Sequence, residues 1–281
     1  MENLFKYIIG ALALTLSCTS AAQQVDNCPA EAQIAPGYAD MLGELMTPGT
    51  APPAMTEEGA TARRAYQDLV TRNDWARLCR YRALNRTLPP SASRVVFLGA
   101  STTEYWGAAD PGLFSGNVIN RGIGGQTTQQ LLLRFTQDVL ALRPRVLHLM
   151  ASSNDIVAAS SPGGVTLETV QQAIDTMVTL ARDHKITVVL ASNFPTSRIP
   201  WAPGLKPAIM VMKWNAWLKE YAQAKGLVFV DYHSVLRDES GGIPANLSND
   251  GVHPNRDGYA RITPIAKAAI ARALGGYELG K

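Results

Sequence analysis

The sequence predicts an α/β protein in which a parallel β-sheet is covered on both faces by helices. Three observations carry this expectation. After Pro89-Pro90, short apolar runs recur along the chain. Segments with helical spacing fill the gaps between them. The runs are apolar at consecutive positions rather than alternating, as strands buried on both faces require. Composition agrees: of 281 residues, 46% are hydrophobic and only 17% charged, against about 25% charged in typical soluble domains. Disorder is excluded, and the length suffices for one large core or two small ones. The 26 Lys and Arg against 23 Asp and Glu leave a net charge of +3, scattered without a basic stripe, so no nucleic-acid partner is expected.

In chain order, residues 1–22 read as a signal peptide: Lys6, the apolar run Tyr7 to Leu16, then Ser20-Ala21-Ala22. The run is too short to span a bilayer, which takes about 20 residues, so no transmembrane span is expected in the mature chain and export follows. Cys18 offers lipid attachment as a second reading, ranked lower because Thr15-Leu16-Ser17 places no aliphatic residue three before the Cys. Export of a chain keeping Cys28 and Cys79 invites a disulfide between them; a buried free thiol at Cys79 is the alternative. Residues 23–56 read as an irregular linker ending in Pro48-Gly-Thr-Ala-Pro-Pro53. Residues 57–281 form the main domain, opening with two amphipathic helices between Glu57 and Leu88 that break near Thr71 to Asn73.

Strands are expected at Arg94 to Gly99, Asn117 to Asn120, Arg145 to Met150, Ile186 to Ala191 and Leu227 to Asp231. Helices are expected at Thr127 to Leu142, Leu167 to His184, Pro207 to Lys225 and Asp257 to Leu274. Function in such a sheet collects in loops at the carboxyl ends of the strands. Those loops hold Ala100-Ser-Thr-Thr103, Arg121-Gly-Ile-Gly-Gly-Gln-Thr127 and Ala151-Ser-Ser-Asn-Asp155, with Asp250-Gly-Val-His-Pro254 before the last helix. Ser101, directly after a buried strand, is a candidate nucleophile, although Ser there also serves as a helix cap. A nucleophilic serine needs a base and a group that orients it; Asp250 and His253 supply both on one short turn. His148 reads as a core residue and His184 as a helix C-terminal one, while His233 near Asp231 is the rival base. The Gly124-Gly125 turn and the Asn154 amide are candidate donors to a developing oxyanion.

Four segments, Phe97-Leu-Gly-Ala-Ser-Thr-Thr103, Asn120-Arg-Gly-Ile-Gly-Gly-Gln-Thr-Thr128, Ser152-Ser-Asn-Asp155 and Asp250-Gly-Val-His-Pro-Asn255, occur in the order of the SGNH hydrolases, the GDSL-type esterases and lipases. The chain resembles that family from about Asp74 to Leu274. The resemblance implies a flavodoxin-like three-layer α/β/α sandwich with a five-stranded parallel sheet. It also implies Ser101 as nucleophile, His253 as general base and acid, Asp250 as its orienting partner, and an oxyanion hole of the Ser101 and Gly125 N–H groups with the Asn154 side chain. No metal or other cofactor is implied. The chain departs from the family pattern at Ala100, where Asp is usual, at Ser152-Ser153, where Gly-Thr is usual, and at Gln126, which replaces a frequent Asp.

The activity expected is hydrolysis of carboxylic esters, with short acyl, above all acetyl, esters of carbohydrate-like alcohols favoured. Trp106, Phe194, Arg198 and Trp201, with Tyr105, are candidate substrate contacts, since aromatic faces stack on sugar rings or line acyl pockets; alternatively Phe194 and Trp201 anchor their proline-rich loop. A lipid ester or thioester hydrolase, or a binding protein on a weakened scaffold, is the alternative reading. A dinucleotide site lacks its third glycine and a P-loop its Gly-Lys-Ser/Thr, while Ser101 lacks the Gly-x-Ser-x-Gly elbow of an α/β-hydrolase.

Overall fold

The computed structural model describes Cys28 and residues 38–50, 56–159 and 164–275. The expected leader with Cys18, and linker residues 23–27, 29–37 and 51–55, lie outside the described residues. The elements run α1 (Tyr38–Met46), α2 (Glu57–Asn73), α3 (Arg82–Thr87), β1 (Val95–Gly99), α4 (Ser101–Ala109), β2 (Val118–Gly122), α5 (Thr128–Leu133), α6 (Phe135–Asp138), β3 (Val146–Leu149), α7 (Ser153–Ala159), α8 (Leu167–Asp183), β4 (Thr187–Ala191), α9 (Ala208–Lys225), β5 (Val228–Val230), α10 (His233–Leu236) and α11 (Arg256–Ala273). All strand pairs are parallel and the order is β2-β1-β3-β4-β5. This is the doubly wound arrangement, with its switch point where β1 lies between β2 and β3.

Because side chains alternate across a strand, each strand feeds two cores. Val95 and Phe97 of β1, Val146 of β3, Val189 of β4 and Val230 of β5 pack with Trp106 of α4 and Tyr259, Ile262 and Ile270 of α11. Val96, Leu98, Leu147, Leu149, Val188 and Leu190 face the other way, onto Leu131, Phe135, Ile174, Met177 and Leu218. Burying each such side chain stabilises the fold by about 1.5–3 kcal/mol, which is why the central runs are continuously apolar.

Three expectations are corrected. The linker region contains a helix: α1 turns Leu45 and Met46 into the first core, a spacing hidden by the flanking Pro36-Gly37 and Pro48-Gly49. The single helix expected over Thr127 to Leu142 is broken into α5, α6 and a 3-10 turn at Leu140–Leu142. The break falls at Arg134, whose fully buried guanidinium reaches inward to Gln126 Oε1 (2.6 Å), Asp138 Oδ2 (3.0 Å) and Gly99 O (3.0 Å). Finally, Cys79 sits in a turn between α2 and α3 rather than on a helix.

There Cys79 is bonded to Cys28 across 51 residues. Thiol titration of the denatured chain lacking residues 1–22 should find no free thiol before reduction and two after it. Two free thiols without reductant would break this pairing.

Candidate active site

The chemistry-bearing groups gather at the carboxyl ends of β1, β2 and β3. Ser101 is the first residue of α4, where the backbone N–H has no partner within the helix. The loop before it is anchored from beneath by Arg134 on Gly99 O, and the Tyr259 hydroxyl donates to Thr102 O at 2.7 Å. α4 lies tight against β2 because Gly122 has no side chain; a Cβ there would stand 2.2 Å from Glu104 N. These contacts hold the nucleophile loop although Ala100, the N-cap residue, offers no side-chain acceptor.

His253 comes from the other end of the chain, just before α11. Asn255 starts that helix by accepting from Gly258 N at 3.1 Å, and its own N–H donates to Leu247 O at 2.8 Å. The intervening turn is wound around Asp250. Its Oδ1 accepts the N–H groups of Val252 and His253, both at 2.8 Å, and its Oδ2 lies 2.6 Å from His253 Nδ1. His253 Nε2 then lies 2.9 Å from Ser101 Oγ. A carboxylate at Nδ1 keeps the proton there and leaves the Nε2 lone pair for the serine hydroxyl. Burial pushes the Asp250 carboxyl up, but the hydrogen bonds and charge of His253, with the backbone donors, hold it down at about 2. The partner is therefore an anion at neutral pH. Tyr105 (centroids 4.7 Å) and Trp201 (6.0 Å) flank the imidazole ring.

The expected oxyanion donors, Gly125 and Asn154, line the same cleft as Ser101. Gly125 has φ +79°, a backbone that favours glycine, and open space lies where a Cβ would stand, so a substrate oxygen can approach its N–H. Asn154, in the first turn of α7, donates one amide hydrogen to Gln126 O at 2.9 Å. That bond orients the amide and leaves its second hydrogen free to face the cleft that Asn154 lines. The preceding corner places Ser152 at φ +84°, the glycine-suited conformation anticipated there. Ser152 holds it by donating to Ala151 O and accepting from Asn193 Nδ2 at 2.8 Å. Gln126, in place of Asp, is absorbed by Ala76 O (2.8 Å) and Arg134.

The other histidines are elsewhere. His148 is fully buried, stacked on Phe97 and bonded to the Tyr232 hydroxyl at 2.9 Å, and burial pushes its pKa down to about 3. His184 caps α8 through Leu180 O. His233 begins α10, while Asp231 accepts from Ser234 N rather than serving the imidazole.

Of the proposed substrate contacts, Trp201 is 56% exposed and borders both cavities beside Ser101, and Tyr105 lines the larger one. Trp106 is fully buried, donating to Thr263 Oγ1 at 3.1 Å inside the core. Helical geometry explains the correction, since five residues turn Trp106 about 140° from Ser101 whereas four turn Tyr105 only about 40° away. Phe194 is also buried, against Tyr232 and Tyr259, and meets only the smaller cavity. Arg198 is exposed and packs over Gly251, behind the Asp250 turn. The sequence reading missed the groups that α1, α2 and the α2–α3 turn bring to the cleft, among them Met41, Arg63, Tyr66 and Arg77. Arg63, Tyr66, Gln67 and Val70 lie at helical spacing, a signal for one common face of α2 but not for what it faces.

The profile of the GDSL-like lipase/acylhydrolase family matches residues 97–261, from within β1 to within α11, and so covers Ser101, Gly125, Asn154, Asp250 and His253. The chain belongs to this family. Its membership places the GDSL-like chain among ester-hydrolysing enzymes. A crystal structure of a GDSL-like lipase from Bacteroides thetaiotaomicron VPI-5482 is similar at 33% identity and TM-score 0.67, covering 71% of this chain and 100% of that one. A Bacteroides fragilis NCTC 9343 protein described as an acylhydrolase is 37% identical, with TM-score 0.68 over 72% of this chain and 99% of that one. The uncharacterized lipoprotein YqeF of Bacillus subtilis (strain 168) is 33% identical over 81 residues, 28% of this chain. The match spans about a third of that relative's length. Among the described residues, no helix is long and apolar enough to cross a membrane.

Proposed function

We propose that the protein is an exported serine esterase that cleaves short acyl, above all acetyl, esters of carbohydrate-like alcohols through an acyl-serine intermediate. The observation that carries this reading is the unbroken chain of contacts from Asp250 through His253 to Ser101. His253 Nε2 takes the hydroxyl proton as Ser101 Oγ attacks the ester carbonyl. The carbonyl oxygen becomes an anion facing the Ser101 and Gly125 N–H groups and the Asn154 amide. Collapse of the tetrahedral species breaks the bond to the alcohol oxygen, which leaves with the proton from His253. Water then repeats the attack on the acyl-serine, giving its proton to His253, and the acid departs as Ser101 regains its hydrogen.

Two cavities of unequal size meet at Ser101 and support the acyl preference. The smaller, about 30 Å³, is walled by Ile156, Val157, Phe194, Ile199 and Val252 together with Thr102, Asn193 and Thr196, with room for about two or three water-sized groups and so for a short acyl chain. The larger, about 410 Å³, is more open and is lined by the charged side chains of Arg63, Arg77, Arg80 and Glu104, suited to an alcohol of sugar size. Export is supported by the leader-like residues 1–22 and by the Cys28–Cys79 bond.

A panel of p-nitrophenyl esters from acetyl to palmitoyl tests the reading. kcat/KM should be highest at acetyl or propionyl and fall steeply beyond butyryl; a maximum at octanoyl or longer would overturn the short-acyl assignment. Independently, Asn154→Ala should lower kcat about 100- to 1,000-fold. An unchanged rate would remove Asn154 from the oxyanion site.

A further inference from the structure

The wall of the larger cavity opposite the sheet is built by α2 and the turn after it, and its chemistry is cationic. α2 buries only Val70 among its described side chains, so the helix is not simply closing a core with an apolar stripe. Its cleft-facing positions are Arg63, Tyr66 and Gln67, and the following turn adds Arg77 and Arg80. The carboxylates lining the same cavity are already engaged. Asp250 is held by His253, and Glu104 accepts from Gly124 N at 2.7 Å and pairs with Arg80 at 3.6 Å. Among the described residues, no carboxylate pairs with Arg63 or Arg77. Arg77 is steadied by the Tyr66 hydroxyl, to which its Nη2 donates at 2.5 Å, and lies over that ring at 5.1 Å. One edge of the guanidinium is thereby fixed and its other N–H groups remain for a ligand.

We infer that the larger cavity is an anion-selective alcohol subsite: the preferred ester carries a carboxylate or phosphate on its alcohol part, bound by Arg63 and Arg77. This rests on the esterase reading above and adds the charge of the substrate to it. An overall charge of only +3 does not gather polyanions at long range, so the selection acts locally, through two guanidinium groups beside the cleft.

The test uses two pairs of acetate esters that differ only in charge. One pair is an O-acetylated methyl glucuronoside and its uronamide; the other is an O-acetylated methyl glucoside 6-phosphate and the matching 6-O-methyl ether. For wild type at low salt, kcat/KM should favour the charged member of at least one pair by about tenfold or more. The pair that responds identifies carboxylate or phosphate as the source. The preference should shrink as salt is raised, fall several-fold in Arg63→Gln, and fall further in Arg63→Gln/Arg77→Gln. Arg64→Gln, on the same helix but outside the cleft, should retain it. Ser101-dependent cleavage of both members of each pair at equal rates would overturn the anion subsite while leaving the esterase reading intact. A preference that survives the double substitution would also overturn it. Absence of Ser101-dependent cleavage of any of the four esters, with no fluorophosphonate labelling, would sink both.

Discussion

Ser101→Ala should lower kcat toward p-nitrophenyl acetate by about 10⁴- to 10⁶-fold and abolish labelling by a fluorophosphonate, read as the mass shift of the intact protein. The substitution removes the one oxygen that His253 Nε2 can deprotonate at 2.9 Å. It leaves Asp250 and His253 joined at 2.6 Å and the oxyanion donors in place, so residual rate over water reflects those groups alone. Folding should be nearly untouched. Alanine suits the first turn of a helix, and the α4 entrance is held by Arg134 and Tyr259 through backbone oxygens rather than by the serine hydroxyl. A melting temperature within about 2–4 °C of wild type, on the order of 1 kcal/mol, would separate lost chemistry from lost structure. Labelling or ester turnover that persists in Ser101→Ala would remove the nucleophile assignment and the mechanism with it.

The largest effect on stability should come from Arg134→Met, a loss of about 3–5 kcal/mol read by urea denaturation. Arg134 and Asp138 form an ion pair at 3.0 Å with both side chains fully buried. Removing the cation leaves a buried carboxylate with only the Asn85 amide (2.8 Å) and Gln137 amide (3.1 Å) to face it. It also strips Gln126 Oε1 of its donor and leaves Gly99 O with the Ile123 N–H (3.1 Å) alone, so a buried acceptor is stranded beneath the nucleophile loop. Arg134→Met/Asp138→Leu should recover most of the loss, because two apolar groups leave no unpaired charge. A single variant as stable as wild type would show that the pair does not carry the corner between β1 and α5. The kinetic companion is a fall in kcat for Arg134→Met above its melting loss, since Gly99 immediately precedes the Ala100-Ser101 turn.

Much of the architecture was legible because it is local. Period-2 burial on both sides makes β1, β3 and β4 continuously apolar, and α8, α9 and α11 carry long stripes at helical spacing; these elements begin and end within a residue or two of their expected positions. β2 extends to Gly122, two residues past the strand expected at Asn117 to Asn120, because Arg and Gly carry no local strand signal. Arg121 is instead buried with its guanidinium over Tyr81 (4.7 Å) and bonded to Asn85, partners that lie outside any local window. The break at Arg134 was invisible for the same reason: a charged residue in an amphipathic pattern reads as solvent-facing until its buried partners are known.

By itself, the sequence determined the sheet, the order of its loops and the placing of Ser101, Asp250 and His253 in motifs. It could do so because strand alternation, strand-end loops and a three-residue Asp-to-His turn are short-range properties of the chain. Only the tertiary structure decided what surrounds those groups. Packing of α4 on α11 turned Trp106 into the core and left Tyr105 and Trp201 beside the imidazole. The docking of α1 and α2 brought Met41, Arg63 and Arg77 to the cleft from segments well before β1 in the chain. A side chain's neighbours across the fold depend on how whole elements pack, and no local periodicity records which face of a helix will meet a cavity.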